Sequence, residues 1–209
     1  MAKAAAVSVQ ISAPKIETAV FKIRGTAPFV QLRFSQKAMN TMMDKMAAGS
    51  TAKGKKVREA RDFDEDMRNA MHISTDGWVG IPASAFRQGI ISACRLVGFK
   101  MTLAKLSVFI VADGFDAVDG IPLVKLEAGK PERLDMAVRN ATGVADIRIR
   151  PMWREWGANV TVRYDADQFT ITDVTNLLSR VGAQVGVGEG RPDSKASAGL
   201  GWGTFELVN

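Results

Sequence analysis

GVGEGRPDSKASAGLGWGTFELVN, residues 186–209, places six glycines within positions 186–203 and then runs into the strand-like Thr204–Val208. Gly186, Gly188 and Gly190 recur with period two, as do Gly199, Gly201 and Gly203. If each arm is extended, each triplet lies along one face, with no side chain to keep another backbone away. Arg191, Ser194, Lys195 and Ser197 supply donors suited to phosphate between them. Glycine-rich turns can also aim successive N–H groups into an anion-binding nest. Spacing alone leaves a second reading open, a flexible hairpin between the last helix and the last strand.

The segments upstream decide which of these elements the loop joins. Thr172 is placed to cap a helix whose apolar stripe is Val174, Leu177, Leu178 and Val181. Before it, Asn159–Tyr164 alternates and sets Val160 and Val162 on one face, which predicts a strand. Near the other end Thr18–Arg24 alternates through Ala19, Phe21 and Ile23, and Gly25 closes it. Pro82 suits the first turn of a helix, where its missing N–H has no partner to lose. Phe86, Ile90, Ala93, Cys94 and Val97 then fall at helical spacing up to Gly98. Leu106–Val111 is a β-branched and aromatic run that predicts a buried strand.

The resulting order is strand, helix, strand, strand, helix, strand. It predicts an α+β fold of the split βαβ kind, a ferredoxin-like (RRM-like) βαββαβ core with a glycine-rich loop before the last strand. One domain spans 1–209, its core at 17–30, 78–114 and 157–209. Insertions occupy 31–77 and 115–156. The first holds Ser35–Met46, where methionines at 39, 42, 43 and 46 form a helical stripe that reads as core filling. It continues through Lys53, Lys55, Lys56, Arg58 and Arg61 into Asp62, Asp64, Glu65 and Asp66, either a solvated charged face or a functional arm. The second insertion carries turns and one short alternating strand, Val144–Arg150.

The 209 residues are 46% hydrophobic and 24% charged, enough for one sizeable core. With 28 Lys plus Arg against 22 Asp plus Glu, the formal net charge of +6 favours polyanionic partners. One cysteine, Cys94, leaves no internal disulfide and no multi-cysteine zinc site, and points to a reducing compartment. No apolar run approaches the roughly 18 residues of a membrane span, and the leader lacks a signal-peptide core, so a cytoplasmic protein is expected. Two formal glycosylation sequons, at Asn140 and Asn159, then carry no chemistry.

Most motif matches fail on context. Gly49–Lys55 has P-loop spacing, but Lys56 stands where a Ser or Thr would hold magnesium, and a helix-like segment precedes it. Gly186-Val-Gly188-Glu-Gly190 follows a helix and opens none, unlike a dinucleotide fingerprint, so no cofactor is expected. His72 is the only histidine, which removes a multi-histidine metal site; between Met71 and Ile73 it reads as structural before it reads as a general base. Asp113, Asp116 and Asp119 lack the pattern of a calcium loop and read as turn residues, so no metal is expected.

A glycine-rich loop between second helix and fourth strand of such a core resembles the RAMP superfamily of CRISPR-associated proteins. Ile81-Pro-Ala-Ser-Ala-Phe-Arg-Gln-Gly-Ile90 is similar to the Ile-Pro-Gly-Ser-Ser-Leu-Arg-Gly segment that opens the first helix of their backbone subunits. The two motifs fall in matching elements in matching order. Ala83 and Ala85 replace the usual Gly and second Ser, and Gly89 stands one residue late. These departures leave open both a CRISPR subunit and a divergent relative carried by a phage or mobile element. The resemblance implies a subunit that grips single-stranded RNA or DNA by its backbone and repeats along it, with the insertions forming an arm between copies. Its contact candidates are Lys53, Lys55 and Lys56; Arg87 and Arg95 on the helix; and Gly188, Gly190, Arg191, Lys195, Gly199 and Gly201 in the loop. The strands lack paired aromatics for stacking, so backbone gripping is the expected mode. Two alternatives stand beside it: a metal-independent endoribonuclease using His72, and an assembly protein without nucleic acid.

Overall fold

The computed structural model describes residues 12–34, 61–139, 145–194 and 199–208, with residues 40, 43, 44 and 143. The chain enters through strand β1 (Ile16–Gly25) and the short β2 (Phe29–Val30), then helix α1 (Phe63–Asn69). Strand β3 (Gly80–Pro82) leads directly into α2 (Ala83–Leu96), followed by α3 (Met101–Ser107) and β4 (Val108–Val111). Five strands follow: β5 (Gly114–Phe115), β6 (Pro122–Lys125), β7 (Glu127–Ala128), β8 (Glu132–Arg139) and β9 (Ala145–Trp153). Strand β10 (Trp156–Asp165), helix α4 (Ile171–Arg180), a π-helical turn at Val181–Val185 and strand β11 (Phe205–Leu207) complete it. The fold is mixed α+β, and every strand pairing is antiparallel.

The main sheet has the order β11-β1-β10-β4, with β7 added at the start of β10. β1 and β10 form its spine, paired from Ile16 opposite Asp165 to Arg24 opposite Gly157. That register turns Ile23, Ala158, Val160, Val162 and Tyr164 to one face, where they are buried, as strand alternation requires. Phe86, Ile90, Ala93 and Cys94 of α2 and Val174, Leu177 and Leu178 of α4 close over that face. A Cβ at Gly89 would stand 2.7 Å from Val181 Cγ1, so the glycine lets α2 pack close to the turn that follows α4.

Two smaller sheets carry the rest: β2-β9-β8 and β3-β6-β5. β8 and β9 form a long hairpin from Glu132 opposite Met152 to Arg139 opposite Ala145. α1 leans on it. Asp62 caps that helix by accepting from the N–H groups of Asp64 at 2.9 Å and Glu65 at 3.0 Å, and the acids of the first turn complement the helix dipole. The acidic run 62–66 is therefore a helix start.

Several boundaries differ from the expected ones. Thr170 caps α4, in a reciprocal box with Asp173, where Thr172 was expected. Leu106 is 78% exposed and belongs to α3, so the strand begins at Val108 and lies at the sheet edge. Val97 lies past the end of α2 and is exposed, and the Phe99 N–H bonds the Cys94 carbonyl at 2.9 Å. The alternating strand expected at 144–150 extends to Trp153. Most of the helix expected at Ser35–Met46 lies outside the described residues, but Met43 is 57% exposed and fills no core gap. Among the described residues, no helix is long and apolar enough to cross a membrane.

Candidate nucleic-acid interface

The glycine-rich loop is packed, not extended. All six of its glycines have φ between +67° and +82°, so neither triplet lies along the face of an extended arm. Instead the chain folds back on itself. The Val187 N–H bonds the Gly203 carbonyl at 2.9 Å, the Leu200 N–H bonds the Gly190 carbonyl at 2.8 Å, and the Gly203 N–H bonds the Pro28 carbonyl at 2.8 Å. The space a side chain would take is filled from within: Phe29 and Val30 lie against Gly188, the Trp202 ring against Gly190, and Pro192 against Gly199. Gly201 has no atom within 4 Å of its absent Cβ and opens outward.

The loop and helix α2 do come together. Asp193 accepts from Ser92 Oγ, and from Arg95 Nη2 at 3.0 and 3.2 Å. On the other side Glu189 pairs with Arg150 of β9, and the Glu189 N–H bonds the Val30 carbonyl at 2.9 Å. Helix, loop, β2 and hairpin thus meet in one place. The charge there is largely internal, because Asp193 and Glu189 balance Arg95 and Arg150. Arg191 turns back to the Gly188 carbonyl at 3.1 Å. Arg95 therefore serves as a tether for the loop, which sequence spacing could not show. Lys53, Lys55, Lys56 and Lys195 lie outside the described residues.

Arg87 leaves this group altogether. It reaches the opposite neighbour of α2, donating to the Lys105 carbonyl at 2.5 Å and the Val108 carbonyl at 3.3 Å. Its guanidinium carbon stands 5.2 Å from the Phe109 ring centre, and that of Arg163 stands 5.5 Å from the same centre.

His72 occupies a buried polar cluster. It is 6% exposed, its Nδ1 lies 2.9 Å from Asp116 Oδ2, and its N–H donates to Gln31 Oε1 at 3.0 Å. Gln31 Nε2 in turn donates to the Gly80 carbonyl at 2.7 Å. Arg33, 8% exposed, sits 3.4 Å from both Asp116 and Asp119. Burial would raise the Asp116 carboxyl, but the Val118 N–H, His72, the Asp119 N–H and Arg33 outweigh it and hold its pKa below the usual carboxylate value. His72, Asp116 and Asp119 each bring one possible ligand atom within 4.8 Å of the others. Arg33 already supplies the positive charge there, so a metal would have to displace a guanidinium held by two carboxylates. Asp116 and Asp119 also act as turn residues, accepting from the Val118 and Ile121 N–H groups, whereas Asp113 accepts from the Lys125 N–H at the end of β6. Sequence reading found the turn role of Asp116 and Asp119 and missed the Arg33 and Gln31 partners, which sit in a different part of the chain.

No protein-family model and no curated protein matches this chain.

Proposed function

We propose that the chain is a subunit that binds single-stranded nucleic acid without regard to sequence, RNA in preference to DNA, and that copies of it repeat along the strand in the cytoplasm. We read the main sheet and its covering helices as a ferredoxin-like core with two insertions, since strand order β11-β1-β10-β4 with α2 and α4 on one face suits a split βαβ unit. The observation that carries the proposal is the docking of the loop on α2 through Asp193, Ser92 and Arg95. It seats the loop, with Gly201 opening outward, beside a helix, an edge along which a polymer backbone can run. The net charge of +6 supplies long-range attraction. Cleavage by His72 gains no support from a ring bound to Asp116 and 6% exposed.

The test is fluorescence anisotropy of labelled uridine and thymidine homopolymers across a salt series. Affinity should fall log-linearly with salt, with a slope of about −0.7 per neutralised phosphate, and vary little with base composition. Negligible binding of both polymers at low salt would refute the proposal and leave an assembly role. Sedimentation with and without polymer checks the repeating arrangement, which predicts larger species only when polymer is added.

A further inference from the structure

We infer that the open face of the main sheet holds a second nucleotide-binding site, centred on the exposed Arg163 and its neighbour Phe109, with Arg87 at the sheet edge. The inference rests on the reading that this chain binds single-stranded nucleic acid, and adds a contact that the loop does not provide.

Strand alternation puts the residues not facing the core on this outer face. The registers line them up in rows: Thr18 opposite Arg163 opposite Phe109, then Val20 opposite Thr161 opposite Val111, then Lys22 opposite Asn159. The helices that bury the inner face lie behind these rows. Val20 is 65% exposed, and Thr18, Lys22, Val111, Asn159 and Arg163 are exposed with it.

Two guanidinium carbons, at 5.2 and 5.5 Å from one ring centre, are separated by no more than the sum of those distances. Their charges therefore add over one patch of the surface. Neither Arg87 nor Arg163 has an ion pair among the described residues, and Lys22 has none either. Arg87 is locked in place by its two carbonyl partners, so it does not swing away. A phosphodiester seated beside the exposed Arg163 accepts the donors that Arg163 leaves unused, with the Arg87 charge close by. The surroundings suit the rest of a nucleotide. Guanidinium and aromatic planes stack on any base, which fits binding without sequence preference. Beside them, Val20, Thr161 and Val111 form a low row, and Thr18 adds a hydroxyl group; the Asn159 amide is taken by Glu127 at 2.6 Å.

Arg163 is exposed, so Arg163→Ala tests the site without emptying the core. Against the same homopolymers, affinity should fall on the order of tenfold. The salt slope should become shallower by about 0.7. Independently, 5-iodouridine oligomers irradiated on the unaltered protein should cross-link to Phe109 in the tryptic peptide 106–125, and Phe109→Leu should abolish that adduct. Unchanged affinity and slope in Arg163→Ala, with cross-links absent from 106–125, would overturn this site while leaving binding by the loop side intact. Absence of binding by the unaltered protein would overturn both.

Discussion

Gly203→Ala and Gly201→Ala separate the packed part of the glycine loop from its open part. Both glycines sit at positive φ, +67° and +73°, so each substitution costs about 1–2 kcal/mol in backbone conformation alone. Their surroundings differ. A Cβ at Gly203 would fall 1.7 Å from the Val187 carbonyl oxygen, a backbone atom that no side-chain rotation can move, whereas one at Gly201 meets nothing within 4 Å. Relieving the Gly203 clash means separating segments joined by the Val187 N–H to Gly203 carbonyl bond at 2.9 Å and the Gly203 N–H to Pro28 carbonyl bond at 2.8 Å. Losing such buried pairs costs about 1–3 kcal/mol in total. Gly203→Ala should therefore destabilise by about 2–5 kcal/mol, about 1–3 kcal/mol more than Gly201→Ala, which should cost no more than about 2 kcal/mol. In a chain of 209 residues each kcal/mol lowers Tm by about 2–4 °C. Urea unfolding at fixed pH measures both, with m-values checked for equality. If the two variants differ by less than about 0.5 kcal/mol, within the additivity error of such comparisons, the folded-back loop described here is wrong.

Asp116→Asn leaves Arg33 with Asp119 as its one remaining carboxylate, so at neutral pH it should cost less than a buried charge left wholly unpaired, which costs about 3–5 kcal/mol. Because the folded-state pKa of Asp116 lies below its unfolded value of about 3.9, its contribution is complete above that value and is lost as pH falls through the folded value. Urea midpoints should therefore drop with acid more steeply in the unaltered protein than in Asp116→Asn, and parallel profiles would contradict the assignment. Asp193→Asn removes the charge that balances Arg95, so homopolymer affinity in the anisotropy assay should rise several-fold with a steeper salt slope; a loss of affinity would mean that the tether matters more than the freed cation. Cys94 is fully buried and burial raises its thiol pKa, so Ellman's reagent should react with it slowly in the native state and promptly in denaturant.

Periodicity made the central elements legible. Period two in β1 and β10, and the stripes Phe86–Cys94 and Val174–Leu178, each follow from burial on one face, and that information is local. The elements that escaped are those whose reason is not local. α3 joins β4 with no glycine or proline between, so its Leu106 reads as the start of a strand. The hairpin β8–β9 carries charges such as Arg133 and Asp135 that pair with each other on its surface, which weakens the apolar alternation. Thr172 and Thr170 both precede the α4 stripe, and only the reciprocal bonds between Thr170 and Asp173 distinguish them. The polar cluster was hidden because His72 and Asp116 stand 44 positions apart and each has an ordinary local explanation.

The same distinction governs the candidate site. Arg87 and Arg95 are two turns apart on one helix, and adjacency in sequence groups them, yet one turns to the loop and the other to the β4 edge. A cation's partner decides whether it can meet a ligand. Arg95 and Arg150 face carboxylates placed by the loop itself, so a phosphate there must compete with Asp193 and Glu189. Arg163 and Arg87 face an aromatic ring, which attracts each of them without cancelling either charge. If the chain binds a strand as proposed, the loop is better suited to setting its path by shape and the sheet face to holding it by charge. A strand that used both would lose affinity in Arg163→Ala while the loop and its tether through Arg95 stayed intact.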